Sequence, residues 1–126
     1  MPQIELSTTR GLVQRSGLGL VDSEFQEHEA GAVDLTAAST SSASRGAVVH
    51  LLEANGVGNV FKLFDKAQGA TKGQIKVVIL KAEAAGNNTF IIDNHDGNDL
   101  VTLSALGDMA ICIFDGTDWV VGKALA

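Results

Sequence analysis

Gly107-Asp108-Met109-Ala110-Ile111-Cys112-Ile113-Phe114-Asp115-Gly116-Thr117-Asp118-Trp119-Val120-Val121 reads as a complete β-hairpin. An apolar run leads into Asp115-Gly116, and a returning strand opens on the chain's only tryptophan. Asp-Gly between two β-rich apolar runs is a strong local hairpin signal, because glycine accepts the positive φ that tight turns demand. This stretch sets the class of the protein as all-β.

Upstream, the same grammar repeats. Short apolar runs stand at 32–37, 47–53, 59–64, 74–81, 89–92, 100–104, 108–114 and 119–122. The separators Asn55-Gly56-Val57-Gly58, Ala84 to Asn88, and Asn94 to Asn98 are turn chemistry. Eight short strands at this spacing predict a single β-sandwich, jelly-roll-like, over residues 32–126. No repeat of fixed period suggests a solenoid. Thr36 to Ser44 is small and polar and reads as a surface loop.

Residues 1–31 differ in texture. Gly11, Gly17 and Gly19 oppose a helix. Ile4, Leu6, Leu12, Val13, Leu18, Leu20 and Phe25 are too many apolar residues for a disordered tail. The segment is expected to be an extended arm that lies on the body or on a neighbouring subunit. Those seven side chains are the candidate assembly interface.

Val77-Val78-Ile79-Leu80 and Ala110 to Phe114 are apolar at successive positions, so both faces of these strands need cover. Mean hydropathy is +0.18, high for a chain of 126 residues with 19% charged residues. Small chains have much surface per unit volume. Both observations predict a homo-oligomer. The net charge of −6 argues against a nucleic-acid partner, which demands a basic footprint, and against an anionic membrane surface. No basic-then-apolar leader opens the chain, and no run approaches the ~18 apolar residues of a membrane helix. Synthesis in a cytoplasm is the expectation.

Candidate chemistry is sparse. The lone Cys112 sits in an apolar run and reads as a buried hydrophobe. His28, His50 and His95 have no metal-ligand spacing, and no nucleophile elbow or dinucleotide loop occurs. Neither an enzyme nor a cofactor is expected. The oxygen-rich Asp93 to Asp99 loop, with Asp93, Asp96 and Asp99, invites a calcium reading. In the EF-hand register that puts Gly97 at position 6, Ile92 and Leu103 fall at the end ligands and fail. A polar hairpin connection is the simpler reading. Trp119 could stack on a sugar, but its position at the start of a strand favours closing the core.

Gly69, Lys72, Gly73 and Lys76, then Gly86-Asn87-Asn88-Thr89, Leu103-Ser104-Ala105-Leu106-Gly107-Asp108, and Asp115-Gly116-Thr117-Asp118-Trp119-Val120-Val121 form a series. This series, within 69–121, resembles modules of tailed-bacteriophage structural proteins. Such modules occur in capsid decoration (cement) proteins and in fibre or spike proteins, commonly as homotrimers. The resemblance implies a virion protein, made in a bacterial host, whose partners are its own copies and the major capsid protein. A receptor- or carbohydrate-binding module of a tail fibre is the alternative. The resemblance supplies no catalytic residue.

Overall fold

The computed structural model describes residues 3–7, 11–16, 25–83 and 89–124. Among these the chain is nearly all-β, with nine strands in two sheets and a separate two-stranded ribbon. The ribbon pairs β1 (Gln3–Ser7) with β2 (Gly11–Ser16), antiparallel, with Leu6 opposite Leu12 and Ile4 opposite Gln14. Its backbone pairs with neither sheet. Leu18 and Leu20 of the expected interface lie outside the described residues.

The remaining strands are β3 (Phe25–Glu27), β4 (Val33–Asp34), β5 (Val49–Ala54), β6 (Asn59–Lys62), β7 (Ile75–Glu83), β8 (Phe90–Asp93), β9 (Asp99–Leu103), β10 (Met109–Phe114) and β11 (Trp119–Ala124). One sheet runs β11-β10-β7-β5-β3 and the other β4-β6-β8-β9. Each of the eight expected runs contains a strand. The body also begins earlier than expected. Phe25–Glu27 pairs with β5, and the Gly31 amide donates to the Glu53 carbonyl at 2.9 Å, so 25–31 belongs to the body and not to the arm. Thr36 to Ser44 runs into one helical turn, α1 (Ser42–Gly46), where the Ser41 hydroxyl accepts from the Ser44 amide at 3.1 Å.

The strands alternate between sheets from β3 to β8, so the chain winds as three successive coils. Neighbouring coils pair in parallel: β3 with β5, β5 with β7, β4 with β6, and β6 with β8. Parallel strands require a crossover, and each crossover here is the passage through the opposite sheet. The coils are unequal. Phe25, Val49 and Val77 occupy one register position, 24 and 28 residues apart. Val33, Phe61 and Ile92 occupy another, 28 and 31 residues apart. Antiparallel β9, β10 and β11 then close the two sheets.

Inward positions fill the space between the sheets. Leu52, Val78, Leu80, Ala110, Cys112 and Phe114 come from one sheet, and Phe61, Phe90, Ile92 and Leu103 from the other. The closing hairpin forms as the sequence predicts, with Phe114 opposite Trp119. Asp115 Oδ1 accepts from the Thr117 and Asp118 amides, both at 2.8 Å, and Gly116 takes φ +105°. Those amides hold the Asp115 carboxyl below its usual range.

Candidate functional site

Because side chains alternate across a strand, the inward burial of Val78, Ala110, Cys112 and Phe114 turns their neighbours outward. Register then aligns the outward residues of the five-stranded sheet in rows. One row is Val120–Ile113–Ile75. The next is Gly122–Ile111–Val77–Val49–Phe25. The third is Ala124–Met109–Ile79–Leu51–Glu27. Val120, Ile75, Ile113 and Ile111 are 59%, 48%, 44% and 43% exposed, and Phe25 is 57% exposed. Val49, Leu51, Val77, Ile79 and Met109 are half-buried. Strand spacing and rise make this face about 20 Å by 15 Å, roughly 300 Å² in projection. Charge enters it only at one end, where Lys81 bonds Glu27 at 2.8 Å. The largest apolar patch on a typical monomer is about 300–600 Å² and is often functional, and this face is of that order. Of the candidate interface residues, Phe25 joins this face, while Ile4, Leu6, Leu12 and Val13 stand on the ribbon.

A second feature was not visible in sequence. The fully buried Lys76 donates from Nζ to the Arg45 and Ala47 carbonyls, each at 2.6 Å, and lies 3.0 Å from His50 Nε2. His50 Nδ1 is 2.8 Å from His28 Nε2, the two rings stack at 5.1 Å, and Phe61 meets His50 edge-on at 5.0 Å. Burial, then the Lys76 charge and His28, push His50 down to about 3, against a small opposing effect of the Ala47 carbonyl. His28 is lowered by burial and by Lys76. His50 is therefore neutral at pH 7. His50 Nε2 lies between the Lys76 ammonium, at 3.0 Å, and the Ala47 carbonyl, at 3.1 Å, and Nδ1 faces His28 Nε2, with the donor and acceptor roles set by the tautomer. The network ties the end of α1 and the residues after it to the inner face of β5 and β7. Burial and this hydrogen bonding make it a structural tie.

Trp119 is 3% exposed, its Nε1 donates to the Phe64 carbonyl at 2.7 Å, and Phe64 and Phe114 pack edge-on against it. No open indole face is left for a sugar, because the ring closes the sandwich end. Cys112 is buried beside Lys76 in register, and burial pushes its thiol up to about 12.

The Asp93–Asp99 loop is a hairpin connection organised by Asn94. Asn94 Oδ1 accepts from the Asp96 amide at 3.0 Å and the Asn98 amide at 2.9 Å, with Gly97 at φ +83°. Asp93 and Asp99 face each other across β8 and β9. Burial and the Asp99 charge push the Asp93 carboxyl up, opposed by Lys62. Asp96 is exposed and pairs with His95 at 3.3 Å. The three aspartates therefore do not converge. Among the described residues no group of three or more His, Cys, Asp or Glu side chains is arranged to hold a metal ion. Nor is any helix there long and apolar enough to cross a membrane.

A groove of about 530 Å³ with mixed polar and apolar walls lies between the 66–72 segment and the closing turn, lined by Lys66, Ala70, Thr71, Lys72, Phe114, Asp115 and Thr117 among others. Comparison of the chain with protein-family models, curated proteins and solved structures finds no match.

Proposed function

We propose that this chain is a non-enzymatic virion structural protein, a homotrimeric decoration protein that binds the outer surface of a tailed-phage capsid. The observation that carries this reading is the aliphatic outer face of the five-stranded sheet, which offers an apolar contact surface to a protein partner. The resemblance of 69–121 to phage structural modules supplies the kind of partner, the major capsid protein. The action is mechanical. Apolar surface buried across capsomer junctions adds roughly 25 cal/mol per Å² to the cohesion of the shell. The acidic remainder of the surface keeps the free protein soluble.

The test uses heads of the phage whose genome encodes the chain, prepared without this protein. Purified full-length chain should co-sediment with them at a fixed ratio and raise the temperature at which they release DNA. Absence of binding at micromolar concentration refutes the reading.

The groove beside the closing turn favours a second reading, a carbohydrate-binding module of a tail fibre. Its lysines, hydroxyls and carboxylate suit hydrogen bonding to sugar hydroxyls. Glycan-array binding that Lys72→Ala and Thr117→Val abolish, without capsid binding, selects this alternative.

A further inference from the structure

We propose that Asp93 and Asp99 bind a hard divalent cation, of the calcium or magnesium kind, at the hairpin end of β8 and β9. The inference goes beyond capsid binding and does not rest on it.

Register sets charges in a row across the four-stranded sheet. Asp34 on β4 stands beside Lys62 on β6, Lys62 beside Asp93 on β8, and Asp93 beside Asp99 on β9. Opposite charges alternate along this row until its last step, where two carboxylates meet. Like charges directly opposite each other on paired strands are destabilising. Lys62 is the row's one cation, and its charge acts on both Asp34 and Asp93. With all four groups ionised the row stands at −2. A shared proton cancels one unit of that excess, whereas a divalent cation cancels both.

The backbone builds the pairing. Phe90, Ile91 and Ile92 face Leu103, Thr102 and Val101 in regular antiparallel register, which would carry Asp93 on to Leu100. The register shifts instead between Ile92 and Asp93, and Asp99 takes the place opposite. Irregularities of this kind re-aim a side chain and recur beside functional sites.

Asp93 is 7% exposed, and among the described residues no hydrogen-bond donor reaches its Oδ1. A buried carboxylate oxygen without a donor is costly, and such atoms call for an ion, a water or a proton. After burial, the charge of Asp99 and a side-chain hydrogen bond with it push the Asp93 carboxyl up, which sets the two carboxyl groups against each other. Two carboxylates only accept, so a cation or a shared proton must join them. Asp99 is exposed, which leaves the pair open to solvent on one side. Carboxylate oxygens favour calcium or magnesium over softer metals. Two carboxylates leave most coordination positions to water, which puts the affinity at the weak end for calcium sites, a Kd of about 10⁻⁴–10⁻³ M.

The experiment uses the full chain, stripped with a chelator, at pH 7 and constant ionic strength. Calcium at about 10 mM should raise the folded-to-unfolded ratio in urea about 10- to 100-fold over a sodium control, the factor this affinity gives for a ligand bound only by the native state. Asp99→Asn, at an exposed position, should keep the fold and lose the effect. Substoichiometric manganese should broaden the amide NMR signals of Asp93, Asp99 and Lys62 before others. If neither calcium nor magnesium stabilises wild type beyond the control, the cation is refuted and a shared proton remains as the link. A rise that Asp99→Asn retains, or manganese broadening centred elsewhere, also refutes the site. Should Asp99→Asn misfold, the manganese map of wild type decides alone.

Discussion

Acidification should unfold this protein through His50. In the native state burial and Lys76 hold that ring neutral, with its pKa down at about 3, against about 6.5 in an unfolded chain. Between those values the unfolded state binds more protons. Stability contributed by the neutral ring is full above pH 6.5 and is lost as pH falls toward 3. Linkage gives a loss of about 2 kcal/mol between pH 7 and pH 5, growing to about 4 kcal/mol at pH 3. His28, also lowered, acts in the same direction. The other groups around the site are Lys76 and the uncharged Phe61 ring. The lowered carboxyls of Asp34 and Asp115 act with the same sign but only below about pH 5, and Asp93, raised, changes stability with the opposite sign. Urea unfolding at pH 7, 6 and 5 measures the slope. His50→Gln keeps an acceptor for Lys76 and removes the titration, so its loss between pH 7 and 5 should be about 2 kcal/mol smaller than in wild type. A His50 ring that titrates near pH 6.5 by NMR would falsify the assignment, as would equal slopes in the two proteins.

Three further outcomes follow from the packing. Trp119→Phe keeps the ring contacts but strands the Phe64 carbonyl, which should cost about 1–3 kcal/mol in chemical denaturation. Trp119→Ala should cost about 3–5 kcal/mol by the same measurement. Cys112 should resist a thiol reagent at pH 8 in the native protein and react on unfolding, with the rate tracking the open population.

Much of the fold was legible, for local reasons. Asp115-Gly116 and Asn94 to Gly97 encode their turns through their own side chains and a positive φ, so hairpin positions could be read directly. The two-sided apolar pattern of 77–80 and 110–114 foretold a face in need of cover, and Ile111 and Ile113 now occupy it. The parallel winding was not legible. Its coils differ in length, 24 and 28 residues in one sheet and 28 and 31 in the other, so no period repeats. β3 escaped because Phe25–Glu27 is a short edge strand with no inward apolar residue. The Lys76 site escaped because its strongest partners are backbone carbonyls, about thirty residues upstream, and a carbonyl has no signature in sequence. A lysine is ordinarily read as solvent-facing.

The two outer surfaces of the sandwich differ in a way that core packing does not require. On the four-stranded sheet, register places Asp34 beside Lys62 and Thr102 beside Ile91, so polar groups interrupt the aliphatic ones. On the five-stranded sheet three consecutive rows reach Glu27 before any ionisable group appears. Each isoleucine there is a little under half exposed and so forgoes about 1 kcal/mol of the burial a core position would give, not negligible beside the 5–15 kcal/mol that holds a small domain together. A free monomer gains nothing from that arrangement, whereas an assembled subunit recovers it at every contact. The asymmetry therefore points to one directed contact per subunit through the five-stranded sheet. Lysines at Ile111 and Ile113 should abolish assembly while leaving the monomer's unfolding midpoint nearly unchanged, because nothing in the monomer's core rests on those two side chains. A large loss of monomer stability in that variant would place the two isoleucines in the core and remove the basis for a directed contact.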